Sequence, residues 1–188
     1  AAFYLDGVNG GEVRGNTVEQ GMNGLLLTRS DSLRILGNTL SFNSGLGIGL
    51  YRSSDNLIAN NRLDFNVRGY SHRFYRRGQD SAALLLYEQS NRNMVAWNTA
   101  THSGDGLFLW AGQSTMDSGR GGANDNVFYA NDFSWAPTNA MEATFSRNTF
   151  LANRAVGSDY GLWGGYSFES KVIANCFGRN RVGVAIEH

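Results

Sequence analysis

The sequence repeats at a spacing close to 22 residues, and this repeat constrains the fold more than any other feature. Eight short, mostly apolar segments each follow a small residue. The small residues are Ala2, Gly24, Gly47, Ala83, Gly106, Ala140, Gly161 and Gly183. Their successive spacings are 22, 23, 36, 23, 34, 21 and 22 residues. A unit of about 22 residues, lengthened by an insertion at two places, therefore accounts for the whole chain.

Asparagine recurs in register with these units. Seven asparagines each end a short apolar stretch, and four more lie five residues after members of the first set. The first set is Asn16, Asn38, Asn61, Asn98, Asn131, Asn148 and Asn175, and the second is Asn43, Asn66, Asn153 and Asn180. Asn tolerates left-handed backbone angles and can hydrogen-bond to an identical residue stacked above it. The sequence therefore predicts asparagine ladders at the turns of stacked units.

The repeat unit is interrupted too often to form helices. No segment keeps apolar residues at a helical spacing of three to four over about ten residues, and Gly or Asn interrupts every candidate. Leucine-rich repeats have a similar period, but their Leu-x-x-Leu-x-Leu signature is absent. Each unit instead accommodates two or three short strands with alternating apolar positions, joined by turns rich in Gly, Asn and Ser-Asp. Such strands become buried when units stack about 4.8 Å apart.

Three segments resemble a known repeat family: residues 47–66 (GIGLYRSSDNLIANNRLDFN), 104–110 (GDGLFLW) and 160–175 (YGLWGGYSFESKVIAN). They are similar to the right-handed parallel β-helix repeats of the pectin-lyase-like superfamily, with its NosD-like and carbohydrate-binding or sugar-hydrolase members. The resemblance covers nearly the whole chain. It implies an all-β, right-handed parallel β-helix of about seven to eight coils, formed as a single domain by residues 1–188 with insertions near 69–81 and 111–122. This fold hosts lyases, hydrolases, epimerases, esterases and structural spikes, so the resemblance does not define the chemistry.

Composition narrows the class of partner. Sixteen basic and sixteen acidic residues balance, which argues against a nucleic-acid partner. The longest apolar run, Ala82–Tyr87, is too short to span a membrane. His72 and His102 are isolated and lack the spacing of metal ligands. We therefore expect no metal and no cofactor. We also expect a secreted, periplasmic or cell-surface location.

The repeat has no cap at either end of the sequence. The first strand-like segment begins directly after Ala2, and the last ends at Ile186. Solenoids need protection of their terminal edges. We therefore expect the chain to be part of a longer protein, with its ends covered by further coils or by a partner chain.

The alternation of side chains places aromatic residues on one outer face. Counted from the small residue of each unit, the first and third positions are apolar and should fill the core, so the second and fourth face outwards. Tyr51, Tyr87 and Trp110 hold the fourth position, and Phe108 and Trp163 hold the second. Contiguous exposed aromatic surface marks binding sites, and flat rings suit the faces of sugars. We therefore assign Tyr87, Phe108, Trp110 and Trp163 to substrate binding. The alternative is that the inserted loops cover these rings as a second small core.

The first insertion is basic. Residues 68–77 contain four arginines and one histidine. Guanidinium groups suit carboxylate, sulfate or phosphate, so Arg76 and Arg77 are candidate contacts for an acidic polysaccharide. The alternative is a solvated loop whose arginines pair with Asp80 and Glu88.

Asp105 and Glu142 are the candidate catalytic pair. Glycoside hydrolysis requires two carboxyl groups roughly 5–9 Å apart. Asp105 stands just before the fifth repeat segment, and Glu142 should face outwards one unit later. If Asn139 rather than Ala140 fills the small-residue position, Glu142 points inwards and needs a partner such as Arg147.

A polysaccharide lyase is the other enzyme class considered. It needs a cation beside the uronate and a base for the C5 proton. Arg76 or Arg77 could neutralise the uronate, and His72, Tyr75 or Tyr87 could be the base. Several signatures that the resemblance would bring are absent, namely the adjacent Asp pair and Gly-His-Gly of the hydrolases, the acidic calcium cluster of pectate lyases and the Asp-Pro-His of alginate epimerases.

The sequence therefore predicts a polysaccharide-binding face on one side of a β-helix. It leaves open whether this face also cleaves or modifies its ligand, as a glycoside hydrolase or a polysaccharide lyase would. The alternative function is that of a non-catalytic structural or surface solenoid, such as a segment of a spike or adhesin.

Overall fold

We analysed a computed structural model of the chain, which describes residues 1–69, 73, 78 and 80–187. In that part of the chain, short strands follow one another with a single short helix among them. In chain order the elements are β1 (Phe3–Asp6), β2 (Asn9–Arg14), β3 (Thr17–Glu19), β4 (Asn23–Thr28), β5 (Asp31–Leu36), β6 (Thr39–Ser41), β7 (Leu46–Tyr51), β8 (Leu57–Ala59), β9 (Ala82–Tyr87), β10 (Met94–Ala96), β11 (Asp105–Trp110), α1 (Gln113–Ser118), β12 (Val127–Tyr129), β13 (Asn139–Thr144), β14 (Thr149–Leu151), β15 (Arg154–Val156), β16 (Tyr160–Gly165), β17 (Lys171–Ile173), β18 (Cys176–Gly178) and β19 (Val182–Glu187).

The strands stack into parallel walls. Sheet A contains eight strands in the order β1-β4-β7-β9-β11-β13-β16-β19, and sheet B contains seven in the order β2-β5-β8-β10-β12-β14-β17. A third wall joins β3–β6 to β15–β18 through isolated bridges at Arg62, Thr99 and Asp132. Parallel crossover connections of this kind are right-handed in about 98% of cases. The chain is a right-handed parallel β-helix with one sheet A strand per coil, as the repeat predicts.

The small residue that opens each unit has a steric cause. It lies at the corner between the third wall and sheet A, where neighbouring coils approach closely. A Cβ added to Gly47 would lie 2.5 Å from the carbonyl oxygen of Ala83, and one added to Gly106 would lie 2.5 Å from that of Ala140. Larger side chains do not fit at this corner. The next apolar position, exemplified by Ile48, is fully buried in the core.

Asparagine ladders run along the coils, but two asparagines belong to other ladders than the predicted ones. The first ladder passes through Asn16, Asn38, Asn61, Asn98, Asn131, Asn153 and Asn175. Asn148, which the sequence pattern places in this ladder, instead belongs to a ladder formed by Asn56, Asn93, Asn126 and Asn148. A third, shorter ladder joins Asn43 to Asn66 and continues to Ser103. The prediction of ladders is therefore confirmed, and the assignments of Asn148 and Asn153 are wrong.

The first insertion precedes β9 in the chain, and the second follows β11. Of the first, around 69–81, the structure describes only residues 69, 73, 78, 80 and 81, so Arg76 and Arg77 lie outside the described residues. The second, around 111–122, contains α1, which the sequence analysis does not predict. Within the described residues, no helix is long and apolar enough to cross a membrane.

Candidate functional site

The register of sheet A decides which way Glu142 points. Leu107 pairs with Met141, so Ala140 takes the small-residue position. Glu142 pairs with Phe108 on one side and with Trp163 on the other. Met141 lies fully inside the core, and Glu142, the next residue, is half-buried on the outer face. The outward register therefore holds, and the inward alternative is wrong. Arg147 pairs with Asp125 and Glu169 instead.

Asn139 connects the two candidate carboxyl groups. Asp105, the first residue of β11, is buried. Its Oδ1 atom accepts hydrogen bonds from the hydroxyl of Thr138 and, at 2.9 Å, from the backbone N–H of Asn139. The side-chain Nδ2 of Asn139 donates to Oε2 of Glu142 at 2.6 Å. The two carboxyl groups thus share one amide residue. Asp105 lies beneath the outer face, and Glu142 lies on it.

The surroundings of these two carboxyl groups give them different pKa values. Burial raises the pKa of Glu142 to about 8, and the negative charge of Asp105 acts in the same direction, while the hydrogen bond from Asn139 opposes them. Burial also raises the pKa of Asp105 to about 6, against the hydrogen bonds from Thr138 and Asn139. At neutral pH Glu142 is therefore mostly protonated, and Asp105 is mostly ionised. Carboxyl groups with separated pKa values are typical of acid–base sites.

The predicted aromatic residues lie together on sheet A. Tyr51, Tyr87 and Trp110 pair in successive strands, and the rings of Tyr51 and Tyr87 stack with centroids 5.3 Å apart. The rings of Phe108 and Trp110 lie 5.7 Å apart. Trp110 is 37% exposed, and Trp163 is half-buried. The structure therefore brings the aromatic candidates onto one wall, while their role in binding stays a prediction.

Two adjoining cavities open at the carboxyl ends of the sheet A strands, and we call them together the α1 groove. The larger has a volume of about 410 Å³ and the smaller about 210 Å³. Both are lined by Phe145, Tyr166 and Glu187. Residues of α1 line the larger cavity, and Trp110 and Trp163 line the smaller. The second insertion therefore forms a wall beside these rings, and Trp110 stays partly exposed.

A third cavity, which we call the Arg68 cavity, lies at the amino ends of the neighbouring strands. Its volume is about 320 Å³. Arg68, Asp80, Leu85 and Phe108 are among its lining residues. Phe108 is therefore the aromatic residue of this cavity, whereas Trp163 belongs to the α1 groove. Glu142 lies between these two side chains in the sheet.

Sequence reasoning missed three residues of this face. Phe145 and Tyr166 directly follow β13 and β16, and their rings stack with centroids 4.8 Å apart. They occupy a fifth position of the repeat, one beyond the positions counted in the sequence. Tyr166 is 58% exposed. The sequence pattern could have revealed them, because Phe145 and Tyr166 each lie five residues after the small residue of their unit. Asn139 was considered only as a register marker.

Glu88 contacts the second insertion. The alternative for the first insertion pairs its arginines with Asp80 and Glu88. In the structure Asp80 is exposed, and both carboxylate oxygens of Glu88 accept hydrogen bonds from the second insertion, from Ser114 and Thr115. The contacts of Arg76 and Arg77 fall outside the described residues.

Comparisons with known proteins agree with the fold. The family model described as periplasmic copper-binding protein (NosD) matches residues 1–81. Two crystal structures, a single and a double mutant of the periplasmic alginate epimerase AlgG, are similar to the chain with a TM-score of 0.69 and 14% identity. Each match covers 99% of this chain and 47% of the other, so this chain spans about half the length of those proteins. No curated protein matches the sequence. At 14% identity the likeness shows the shared fold.

The name of the matched family raises copper as a ligand, and the matched segment does not fit it. Protein copper sites use His, Cys and Met ligands. Residues 1–81 contain one Met (Met22), one His (His72) and no Cys. Across the described parts of the chain, no group of three or more His, Cys, Asp or Glu side chains is placed to hold a metal ion.

Proposed function

We propose that this β-helix binds a polysaccharide across the outer face of sheet A, with the α1 groove as its main binding surface. The observation that carries the proposal is the groove itself. Its two cavities have volumes of about 410 and 210 Å³, and Trp110, Phe145, Trp163 and Tyr166 are among the residues that line them. Aromatic rings in an open groove with carboxyl groups nearby suit the apolar faces and hydroxyl groups of sugars.

The position of Glu142 suggests where a bond in the ligand would be attacked. A sugar chain that crosses the sheet from the Arg68 cavity to the α1 groove passes from Phe108 to Trp163. Glu142 pairs with both residues. The sugar chain would therefore place one of its glycosidic linkages beside the carboxyl group of Glu142.

Glu142 is suited to act as a general acid. With a pKa of about 8, its carboxyl group carries a proton at neutral pH. Hydrolysis and lyase-type elimination both break the bond to a glycosidic oxygen, and both are assisted by protonation of that oxygen. In this proposal Glu142 donates the proton. Asp105 is a positioning residue, since it acts through Asn139 and through its charge.

The comparisons support the ligand class and the location. A periplasmic alginate epimerase has the same fold, and the NosD family is described as periplasmic. We therefore propose an extracytoplasmic protein that acts on a polysaccharide. An acidic polysaccharide is the finer proposal, and it depends on Arg76 and Arg77.

Replacing both groove tryptophans should remove polysaccharide binding. We expect Trp110→Ala with Trp163→Ala to weaken the affinity for an alginate hexasaccharide at least about tenfold, because buried tryptophan contacts dominate binding energies. Isothermal titration calorimetry measures the loss. Trp97→Ala is the matched control, because Trp97 is 53% exposed and directly follows β10 of sheet B. Equal affinity of the double variant and the wild type would contradict the proposed surface.

The acidic preference has a separate test. We expect Arg76→Ala with Arg77→Ala to weaken the binding of alginate or sulfated oligosaccharides about tenfold or more, since bonds to charged groups are the stronger ones. A neutral oligosaccharide such as cellohexaose should lose little. Affinities measured for both ligands at one ionic strength give the ratio. An equal loss for both ligands, or no loss, would remove the acidic preference and leave the binding surface intact.

The alternative function is a structural solenoid without a ligand. The buried hydrogen bonds of Asp105 favour it, because they equally serve to fix the turn before β13. A wild-type protein that binds none of a broad panel of acidic and neutral oligosaccharides would support this alternative.

A further inference from the structure

The second insertion is fastened to sheet A through one buried carboxylate. Glu88 directly follows β9 and is only 4% exposed. One of its oxygens accepts a hydrogen bond from the Ser114 hydroxyl at 2.8 Å, and the other accepts one from the Thr115 hydroxyl at 2.9 Å. Both donors lie in α1. Among the described residues, no cation pairs with Glu88. Among the described residues, the hydroxyl groups of Ser114 and Thr115 are therefore the donors that offset the cost of burying the Glu88 carboxylate.

The fit around this carboxylate is close. A Cβ added to Gly112, the residue that precedes α1, would lie 2.0 Å from Oε1 of Glu88 and 2.8 Å from the Tyr87 hydroxyl. The Oγ1 atom of Thr115 also accepts the backbone N–H of Gly122 at 3.2 Å. Thr115 thus links the carboxylate to the returning end of the insertion. Glycine at position 112 lets the chain pass directly over the carboxylate.

The fastened helix forms one side of the α1 groove. Thr115 and Met116 line its larger cavity together with Phe145, Tyr166 and Phe168. Met116 is 49% exposed. A helix of six residues is too short to hold its position by its own hydrogen bonds. The location of this wall therefore depends on its contacts with the sheet.

We propose that Glu88, through Ser114 and Thr115, is a positioning residue that holds α1 against sheet A and sets the width of the polysaccharide groove. This inference rests on the proposed function for the identity of the ligand. The closed groove presents Met116 and the aromatic rings to opposite sides of a sugar chain. When α1 is released from the sheet, only the aromatic rings of sheet A still contact the sugar chain. The affinity for an oligosaccharide therefore decreases.

The test removes the hydroxyl groups from the insertion and leaves the sheet unchanged. In Ser114→Ala with Thr115→Val, Glu88 loses both donors. We expect the backbone amides of 112–122 to exchange hydrogen about tenfold faster or more, since a bond to a buried charged group is lost at each position. We expect the affinity for an alginate hexasaccharide to fall about tenfold. The melting temperature of the β-helix should change little, because the ladders and core are untouched.

Two further variants separate positioning from general damage. Thr115→Ser keeps the hydroxyl and should retain wild-type exchange and affinity. Gln113→Ala removes the exposed bond from Gln113 to Asp117 in the same helix and should change neither quantity.

The outcomes distinguish this inference from the proposed function. Unchanged exchange in the double variant overturns the inference whatever the ligand. Faster hydrogen exchange with unchanged oligosaccharide affinity would show that Glu88 holds α1 but that α1 does not shape the groove. This result would also overturn the inference. A wild-type protein that binds no oligosaccharide overturns the proposed function and the groove, while the exchange rates still decide whether Glu88 holds the helix.

Discussion

Glu142→Gln should lower any polysaccharide-degrading activity by a factor of about 100 to 10,000, the usual contribution of a general acid. Glutamine has the same shape, and its carbonyl oxygen can still accept the hydrogen bond from Asn139 that Glu142 accepts at 2.6 Å. Binding of the ligand should therefore persist while proton donation is lost. Release of reducing ends or of unsaturated products from alginate and from neutral polysaccharides measures the change.

The pH dependence gives a second readout of the same group. The pKa of Glu142 is raised to about 8, so the activity of the wild type should fall as the pH rises through about 8. A raised pKa also means that the folded state binds the proton more tightly than the unfolded state. The stability that Glu142 contributes is fully present below its ordinary pKa of 4.5 and is lost as the pH rises through about 8.

Melting curves can separate Glu142 from Asp105. The pKa of Asp105 is raised to about 6, so its contribution to stability decreases between its ordinary pKa and that value. Between pH 6 and 8 the melting temperature of the wild type should decrease, because folded Glu142 keeps a proton that the unfolded state has already lost, and that of Glu142→Gln should stay nearly level. Glu169→Gln is the control, because Glu169 is an exposed carboxylate beside Arg147. Full activity of Glu142→Gln, or a fold that collapses at every pH, would mark Glu142 as a structural residue.

The register of sheet A could be predicted because sterics impose it. The corner position is the second residue of each sheet A strand from β4 to β19 and is always Gly or Ala, and the residue after it must fill the core. These two conditions place Phe108, Glu142 and Trp163 in one outward column, as the structure has them. Counting from the small residue was therefore enough to align side chains that are 21 and 34 residues apart.

The wrong assignments of Asn148 and Asn153 show where counting fails. In this coil Asn148 precedes β14, and Asn153 follows it. Asn126 and Asn131 flank β12 in the same way. When the same residue type stands at both ends of a three-residue strand, the sequence does not say which end belongs to which ladder. The hydrogen bond from Asn131 to Asn153 decides the assignment.

The helical wall and its anchor could not be predicted from the repeat. Glu88 and Thr115 lie 27 residues apart, and one of them belongs to an insertion that has no counterpart in other coils. A contact that occurs once in a repetitive fold leaves no periodic signal. Asn139 was missed for a related reason, since its role depends on the burial of Asp105 and not on its own spacing.

Asn98→Ala should destabilise the β-helix by about 3–5 kcal/mol, because it leaves several buried polar groups without partners. The Oδ1 atom of Asn98 accepts the backbone N–H of Asn61 at 2.9 Å and its Nδ2 group at 3.0 Å. The Nδ2 group of Asn98 donates to the carbonyl oxygen of Ile58 and to Oδ1 of Asn131, both at 2.9 Å. Alanine removes all four bonds at a position that water does not reach, since Asn98 is 2% exposed.

Asn16→Ala is the matched control within the same ladder. The Nδ2 group of Asn16 donates to Oδ1 of Asn38 and to the carbonyl oxygen of Arg14, and water can replace these bonds because Asn16 is only half-buried. Asn16→Ala should therefore lower the free energy of unfolding by about 1 kcal/mol or less. Urea unfolding followed by far-UV circular dichroism measures both free energies of unfolding. Equal losses for the two variants would show that burial within the ladder does not decide how much these bonds contribute to stability.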